Sequence, residues 1–286
     1  MIKFIISRRF LYLAIAIVIV LLSIFFYQQS QNKYLQLTFI DVGQGDAHVV
    51  RTPAGQVILI DGGPDRGILR KLGQILPWYE RTIDLMILSH PHADHVTGLV
   101  HILNRYEVKQ VMLTGALHTT PEYLEFLRII KDKKISVISP QQGQLIKFAG
   151  GVTMDVFWPP FSYEGQKVGE LNDTSIMNRV NYGKTSVLFT GDTPVKNEGA
   201  ILAAGYNVKS QILKVAHQGS RTSSSPEFLK AVAPDYAIIP VGSGNRYGHP
   251  HQEVVERLKN LIPNVLRTDE EGDIRFKSNG EVWVRR

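Results

Sequence analysis

Residues 84–95 read DLMILSHPHADH, an apolar run that passes directly into a cluster of histidines. Asp84–Ser89 is a short apolar run, the pattern of a strand covered on both faces. His90, His92, Asp94 and His95 follow within six residues. In an extended loop His90 and His92 point the same way, because side chains alternate with period two. Asp94 and His95 then fall at the next helix start and turn toward a second point, so one short loop can feed two neighbouring metal ions. Imidazole and carboxylate donors suit Zn, Mn or Fe, whereas an all-oxygen set would suit Mg or Ca. The chain has 9 His in 286 residues. Three of them in six positions, with an Asp interposed, are not a polar loop assembled by chance.

Two further positions have the placement such a centre needs. Thr190-Gly191-Asp192 ends the strand-like run TSVLF and puts Asp192 at a strand tip, where a carboxylate can bridge two cations. Asp192 could equally cap a helix over Pro194–Ala203. His217 ends the run QILKVA and precedes Gln218-Gly219-Ser220; alone it reads as a turn histidine. Beside the histidine loop both read as ligands. His101 and His118 lie outside these motifs and read as ordinary surface or loop residues.

Around these motifs the pattern is α/β. Strand-like runs are Tyr34–Ile40, His48–Thr52, Gln56–Ile60, Val152–Trp158, Ile176–Tyr182, Thr185–Thr190, Gln211–Ala216, Asp235–Val241, Asp273–Phe276 and Val282–Val284. Helical runs are Pro121–Lys131, with Leu124, Leu127 and Ile130 at helical spacing, Ser225–Val232, and Pro250–Leu261 with Pro at its first turn. Both halves place strands before helices, which suits two packed sheets with helices outside. No internal repeat or low-complexity linker interrupts them.

The N-terminus differs. Phe10–Tyr27 reads FLYLAIAIVIVLLSIFFY without a charge, a helix of about 27 Å, close to the roughly 30 Å hydrocarbon core of a bilayer. Lys3, Arg8 and Arg9 precede it. The positive-inside rule predicts a cytoplasmic stub over 1–9, a transmembrane signal anchor over 10–27, and an extracytoplasmic domain over 34–286 at the cell membrane. The exit Phe25-Phe26-Tyr27 lacks the small residues of a signal-peptidase site, which favours an uncleaved anchor. This segment also explains the charge. The net +6 includes Lys3, Arg8, Arg9 and Lys33 with no acid in residues 1–33, leaving 28 basic against 26 acidic residues beyond. The basic balance is mostly a topology signal, not a nucleic-acid footprint. The zero Cys count excludes a disulfide scaffold, thiolate ligands and a Cys nucleophile.

The HxHxDH loop after a strand resembles the metallo-β-lactamase superfamily. Asp41–Ala47 (DVGQGDA), Ser89–Gly98 (SHPHADHVTG), Asn172–Ser175, Thr190–Asp192, Leu213–Ser220 (LKVAHQGS) and Asn245–Pro250 (NRYGHP) are together similar to the C-terminal hydrolase domain of ComEC-type competence proteins. The resemblance covers about residues 35–265. It implies an αββα four-layer sandwich with one or two divalent metal ions, Zn or Mn, at one edge. It also implies His90 and His92 on a first metal, Asp94, His95 and His217 on a second, and Asp192 bridging. Asp94, Ser220 and His249 take part in catalysis on this pattern, and Asp41, Gln44, Asp46, Asn172 and Asn245 contact substrate or support the ligands. In two places the sequence departs from the wider superfamily. Asn172 and Asp173 stand where many members carry a third His, and Gln218 stands where a second His often precedes the Gly-Ser.

These residues imply metal-dependent hydrolysis by an activated water. The expected substrate is DNA or another phosphodiester, with the membrane and a DNA-uptake machinery as partners. Phosphorylcholine, cell-wall phosphoesters and, more remotely, β-lactams are alternative substrates, and a non-catalytic tethered DNA-binding module is an alternative function.

Overall fold

The computed structural model describes residues 8–31 and 33–286, with side chains described for 8–23 and from 33 onward. Helix α1 spans Arg8–Gln31. The first half of the domain then runs β1 (Leu35–Phe39), β2 (His48–Arg51), β3 (Val57–Ile60), α2 (Ile68–Ile75), β4 (Thr82–Ile83), β5 (Leu85–Ile87), α3 (Ala93–Leu103), β6 (Glu107–Val108), β7 (Gln110–Met112), α4 (Pro121–Asp132) and β8 (Ser136–Ile138). The second half runs β9 (Leu145–Lys147), β10 (Val152–Trp158), β11 (Met177–Tyr182), β12 (Thr185–Phe189), α5 (Val195–Ala203), β13 (Ile212–Lys214), α6 (Pro226–Val232), β14 (Tyr236–Ile239), α7 (Gln252–Leu261), β15 (Asn264–Arg267), α8 (Thr268–Glu271), β16 (Ile274–Ser278) and β17 (Trp283–Arg285).

The strands form two large sheets in the orders β17-β16-β1-β2-β3-β5-β7-β8 and β15-β14-β13-β12-β11-β10-β9. β3, β5, β7 and β8 are parallel, as are β12, β13, β14 and β15. β3 shows why a two-sheet sandwich results. All four residues of VILI are buried. Val57 and Leu59 pack with Leu72, Leu99 and Phe126 of the helices, while Ile58 and Ile60 pack with Val180, Phe189 and Ile212 of the other sheet. The second sheet repeats the arrangement, with Leu188, Leu213 and Ile239 facing Ile201, Phe228 and Leu258 of α5, α6 and α7. Three apolar layers therefore separate four structural layers, the expected αββα sandwich.

Some elements depart from the expected bounds. In α4 the buried face is Tyr123, Phe126, Ile129 and Ile130, and Leu124 is 51% exposed. The two aromatics bury more surface than Leu124 and Leu127, and Tyr123 Oη donates to Ala116 O; together they turn the helix by one residue. α7 begins at Gln252 rather than at Pro250, because Asn245 ties the preceding loop by donating to Gly242 O and His249 O. The strand expected over Gln211–Ala216 stops at Lys214, and the chain turns at Ala216–Gly219 in a short 3-10 segment. The short strands β7, β8, β9 and β15 have no counterpart among the strand-like runs of the sequence. Runs of three or four residues carry too little periodicity to read.

The expected membrane span lies at the limit of what is described. Among the described residues no helix is long and apolar enough to cross a membrane. The described side chains of α1 stop at Ser23, so residues 1–7 of the stub and the side chains of 24–27 lie outside them. The span over 10–27 therefore rests on the sequence.

Two close approaches set the edge where the site forms. A Cβ on Gly98 would lie 1.8 Å from Gly62 O, and one on Gly45 would lie 2.1 Å from Asp94 O. Glycine lets the backbone pass at both points. Gly62 N then donates to His95 O, Gly98 N to Gly63 O, and Gly63 N to Asp46 O. The β1–β2 loop, the turn after β3 and the first turn of α3 are thereby tied together.

Candidate metal centre

The site lies at the carboxyl-terminal ends of the strands, where open α/β sheets gather their ligand groups. Asp61 follows β3, His90 follows β5, Asp192 follows β12 and His217 follows β13. α3 begins at Ala93 with His92 at its cap, so Asp94 and His95 occupy its first turn. A carboxylate there also suits the positive end of the helix dipole.

Asp192 is the geometric centre. Its Oδ2 lies 3.7 Å from His90 Nε2, 3.5 Å from His95 Nε2 and 3.7 Å from His217 Nε2. These separations are long for hydrogen bonds. They match the spacing of about 3.4 Å between ligand atoms on a tetrahedral ion with 2.1 Å bonds. His90 Nε2 and His92 Nδ1 converge at 2.9 Å, and His90, His92 and Asp192 can share one ion. Asp94 Oδ2 lies 3.7 Å from His95 Nε2, which puts Asp94 beside a second position with His95, Asp192 and His217.

The ring tautomers are set from behind. Asp61 accepts from Ser89 N at 2.8 Å and from Ser89 Oγ at 2.7 Å. It also accepts a hydrogen bond from His95 Nδ1–H at 2.9 Å, which turns His95 Nε2 toward Asp192. Ser89 Oγ, having donated to Asp61, accepts from His90 Nδ1 at 3.1 Å, which leaves the His90 Nε2 lone pair directed toward His92 and Asp192. A carboxylate behind a ligand histidine orients the ring and raises its basicity.

The electrostatics fit a cation. Burial, and then the neighbouring His95, hold His90 well below the ordinary histidine range. Burial likewise lowers His92. Both are neutral donors. Burial disfavours charge on His95, but Asp192, Asp94 and Asp61 outweigh it and raise its pKa well above the ordinary value. Burial also works against ionising Asp192, yet His95, His90 and His217 hold it well below the carboxylate range. Positive charge is thus favoured where these groups meet. His95 Nε2 is buried without a hydrogen-bond partner among the described residues, as a ligand nitrogen aimed at an ion would be. The residues present therefore fit divalent ions.

Asp46, His95 and Asp192 are also close enough to share an ion. Two facts argue against Asp46 as a ligand. Its Oδ2 faces His95 Nδ1 at 3.8 Å, the nitrogen already committed to Asp61. It also lies directly against Lys214 Nζ, and both side chains are about 1% exposed. Burial works against ionising Asp46, with Lys214 and His95 pulling the other way, while Asp46 and Asp192 keep Lys214 protonated against the cost of burial. The ammonium–carboxylate contact makes the ionised pair the favoured state. Lys214 Nζ also donates to Gly191 O at 2.7 Å and lies 3.7 Å from Asp192 Oδ1.

The backbone is strained here. Asp61, His217 and Gln218 have φ of 57°, 51° and 48°, a left-handed conformation that costs non-glycine residues about 1–3 kcal/mol each. His217 N donates to Gly191 O, and Ser220 N to His217 O, which hold the turn. Gln218 Nε2 donates to Asp192 Oδ1 at 3.4 Å, Gln44 Nε2 to Gln218 Oε1 at 3.3 Å, and Gly242 N to Gln44 Oε1 at 3.2 Å. Gln218, in place of a histidine, and Gln44 thus form a relay that supports Asp192.

Other expected residues sit differently. Asp41 does not join the cluster: it accepts from Gly43 N and faces Lys71 at 4.0 Å, bracing its own turn. Ser220 is buried, and its Oγ pairs with Thr222 Oγ1 instead of opening to the cleft. Asn245 Oδ1 accepts from Tyr247 N and His249 N, so it shapes its loop. Asn172 Nδ2 lies 3.4 Å from His217 Nδ1 and is placed to support that ring. Asp173 turns outward to Lys196. Asp61 and Lys214 were not anticipated. The run VILID before Gly62 offered the same strand-end Asp as LFTGD, and Lys214 stood inside an apolar strand. The His118 ring lies 6.5 Å from that of His92, nearer the site than an ordinary loop residue.

A cleft of about 250 Å³ opens over the centre, lined by His92, Asp94, Asp192, His217, Tyr247 and His249 among others. Burial, with His217 and His251 nearby, holds His249 down to about 4, so this ring is neutral at neutral pH.

Fold and site define a metal-dependent hydrolase centre. A family model described as the Metallo-beta-lactamase superfamily matches residues 40–243, and the chain belongs to that superfamily. Its relatives include ComE operon protein 3 of Bacillus subtilis, 27% identical over 86% of this chain and 33% of that protein. Competence protein ComA of Neisseria gonorrhoeae is 31% identical over 84% of this chain and 32% of that protein. The chain spans about a third of the length of these relatives. Among solved structures, the metallo-beta-lactamase fold protein YhfI of Bacillus subtilis aligns with a TM-score of 0.56 over 85% of this chain and 100% of that one, at 13% identity. That likeness supports the fold alone.

Proposed function

We propose that the chain is a phosphodiesterase acting on DNA, with Zn or Mn in the centre. The observation that carries this reading is the convergence of three imidazoles on Asp192 Oδ2 at 3.5–3.7 Å beneath an open cleft. Divalent ions bound there would supply Lewis acidity for a phosphoryl oxygen and for a water, whose pKa such ions lower from 15.7 to about 7. His90, His92, Asp94, His95 and His217 would hold the ions, with Asp192 between the two positions. The described lining offers no Ser, Thr or Cys nucleophile, so water serves as the attacking group. His249, neutral and at the rim, is placed to donate a hydrogen bond to a non-bridging oxygen of the substrate. One of the relatives named above is a competence protein by name, which favours DNA over phosphorylcholine, other phosphoesters or a β-lactam.

The expected result with the purified full chain is divalent-cation-dependent cleavage of DNA, abolished by chelation and by Asp94→Ala or His95→Ala. Comparison of single-stranded DNA, RNA and small phosphodiesters checks it. Cleavage of other phosphodiesters without cleavage of DNA would remove DNA as substrate.

We further propose that α1 anchors the chain as a single-pass segment, with residues 1–9 cytoplasmic and residues 34–286 extracytoplasmic. The described side chains Phe10–Leu13, Ile15 and Ile17–Leu22 are all about half or more exposed, a contiguous apolar surface that demands cover. Alkaline phosphatase fused after residue 286 should be active in intact cells. An inactive phosphatase fusion, with an active cytoplasmic reporter at the same point, would reverse the topology.

A further inference from the structure

The cleft is small. At about 250 Å³ it falls below the roughly 300–1,000 Å³ of pockets that enclose a whole ligand, and it can take a phosphodiester with part of a sugar. A base attached to that sugar must lie on the rim. There the structure presents a ladder of flat groups. The His217 and His249 rings pack edge to face at 5.3 Å. His249 and Tyr247 stack at 5.8 Å with planes 25° apart. The Arg246 guanidinium carbon lies 5.0 Å from the Tyr247 ring centre, with Nη2 donating to Tyr247 Oη at 2.8 Å. Tyr247 is 50% exposed, lines the cleft, and is held by its own backbone N–H on Asn245 Oδ1. Arg246 is exposed, and its side-chain hydrogen bond goes to Tyr247 Oη rather than to a carboxylate.

We propose that Tyr247 and Arg246 form a stacking subsite for the base next to the scissile phosphate, which selects single strands over duplex. The proposal rests on the phosphodiesterase reading of the centre. A stacked aromatic rung accepts any base, because every base has a π face, and an arginine beside it adds a cation–π contact and reaches the backbone phosphate. In a duplex the same base is already stacked on its neighbours and paired. Engaging Tyr247 then requires unstacking, which disfavours the double strand.

The test compares the full-chain holoenzyme on a single-stranded oligonucleotide, on its duplex, and on an abasic oligonucleotide of the same length and charge. Wild type should favour the single strand over the abasic chain by about 5- to 150-fold in kcat/KM, the range that one stacking contact supplies. Tyr247→Ala should bring this ratio toward one, and Tyr247→Trp should keep it. Arg246→Ala should lower it less. Equal cleavage of based and abasic strands by wild type, or an unchanged ratio in Tyr247→Ala, would overturn the subsite and leave the phosphodiesterase reading standing. Cleavage of neither strand under any divalent ion would overturn both.

Discussion

Asp192→Ala is expected to lower turnover by about 10³-fold or more and to lower bound metal, because several kcal/mol of transition-state stabilisation depend on the ions it spans. The reason is positional. Asp192 Oδ2 faces three imidazole nitrogens, while its Oδ1 is held by Gln218 and its backbone N–H donates to Ser175 Oγ. The carboxylate is therefore preorganised and does not swing into place. Asp192→Asn keeps the shape and removes the charge, so it should lose most of the metal while folding normally. Metal content by mass spectrometry, alongside cleavage rates, checks the outcome. Full metal stoichiometry with undiminished cleavage in Asp192→Ala would place the centre elsewhere.

Lys214→Met carries the second large effect, and it acts on stability. Lys214 is fully buried and meets Asp46, Gly191 O and, at 3.7 Å, Asp192. Its removal strands Asp46 in the interior, and breaking one side of a buried pair costs about 3–5 kcal/mol. In a domain of this size that lowers the melting temperature by about 10 °C. Adding Asp46→Leu to Lys214→Met removes the stranded charge and should recover much of the loss. Calorimetry on the single and double variants, with metal held constant, decides. A double variant as unstable as Lys214→Met would show that the loss comes from packing around the lysine stem.

The contrast between these two residues explains what the sequence could disclose. His90, His92, Asp94 and His95 sit on one strand-to-helix junction, so their spacing alone shows that they can converge. Asp192 and His217 end strands and lean toward the same edge once the sheets are parallel there. Their residue types are legible, and the two-sheet fold is legible in the order of strands before helices in both halves and in a run such as DLMILS that has no polar face. Lys214 was not legible. A lysine inside QILKVA has no visible partner until the fold brings Asp46, from the loop between β1 and β2, against its ammonium. Asp61 was missed for a related reason. Its partners, Ser89 and His95, come from an adjacent strand and the helix beyond, and VILIDGG read simply as a strand entering a turn. In the opposite direction, Asp41, Ser220 and Asn245 looked functional within their motifs. Their side chains are spent on their own turns, a local choice that only hydrogen-bond geometry reveals.

The ligand positions divide between the two sheets. The proposed ligands His90, His92, Asp94 and His95 extend from the first, and Asp192 and His217 from the second. An ion seated there is a cross-brace between segments about a hundred residues apart in the chain. The unfolded chain has no such preformed site, so occupancy and folding are thermodynamically linked. At a free ion concentration about a thousand times the dissociation constant, that linkage adds about 4 kcal/mol to the folded state. An extracytoplasmic setting would expose the brace to whatever ions the surroundings supply. The same ion that equips the cleft for chemistry would then set how firmly the two halves of the sandwich stay joined.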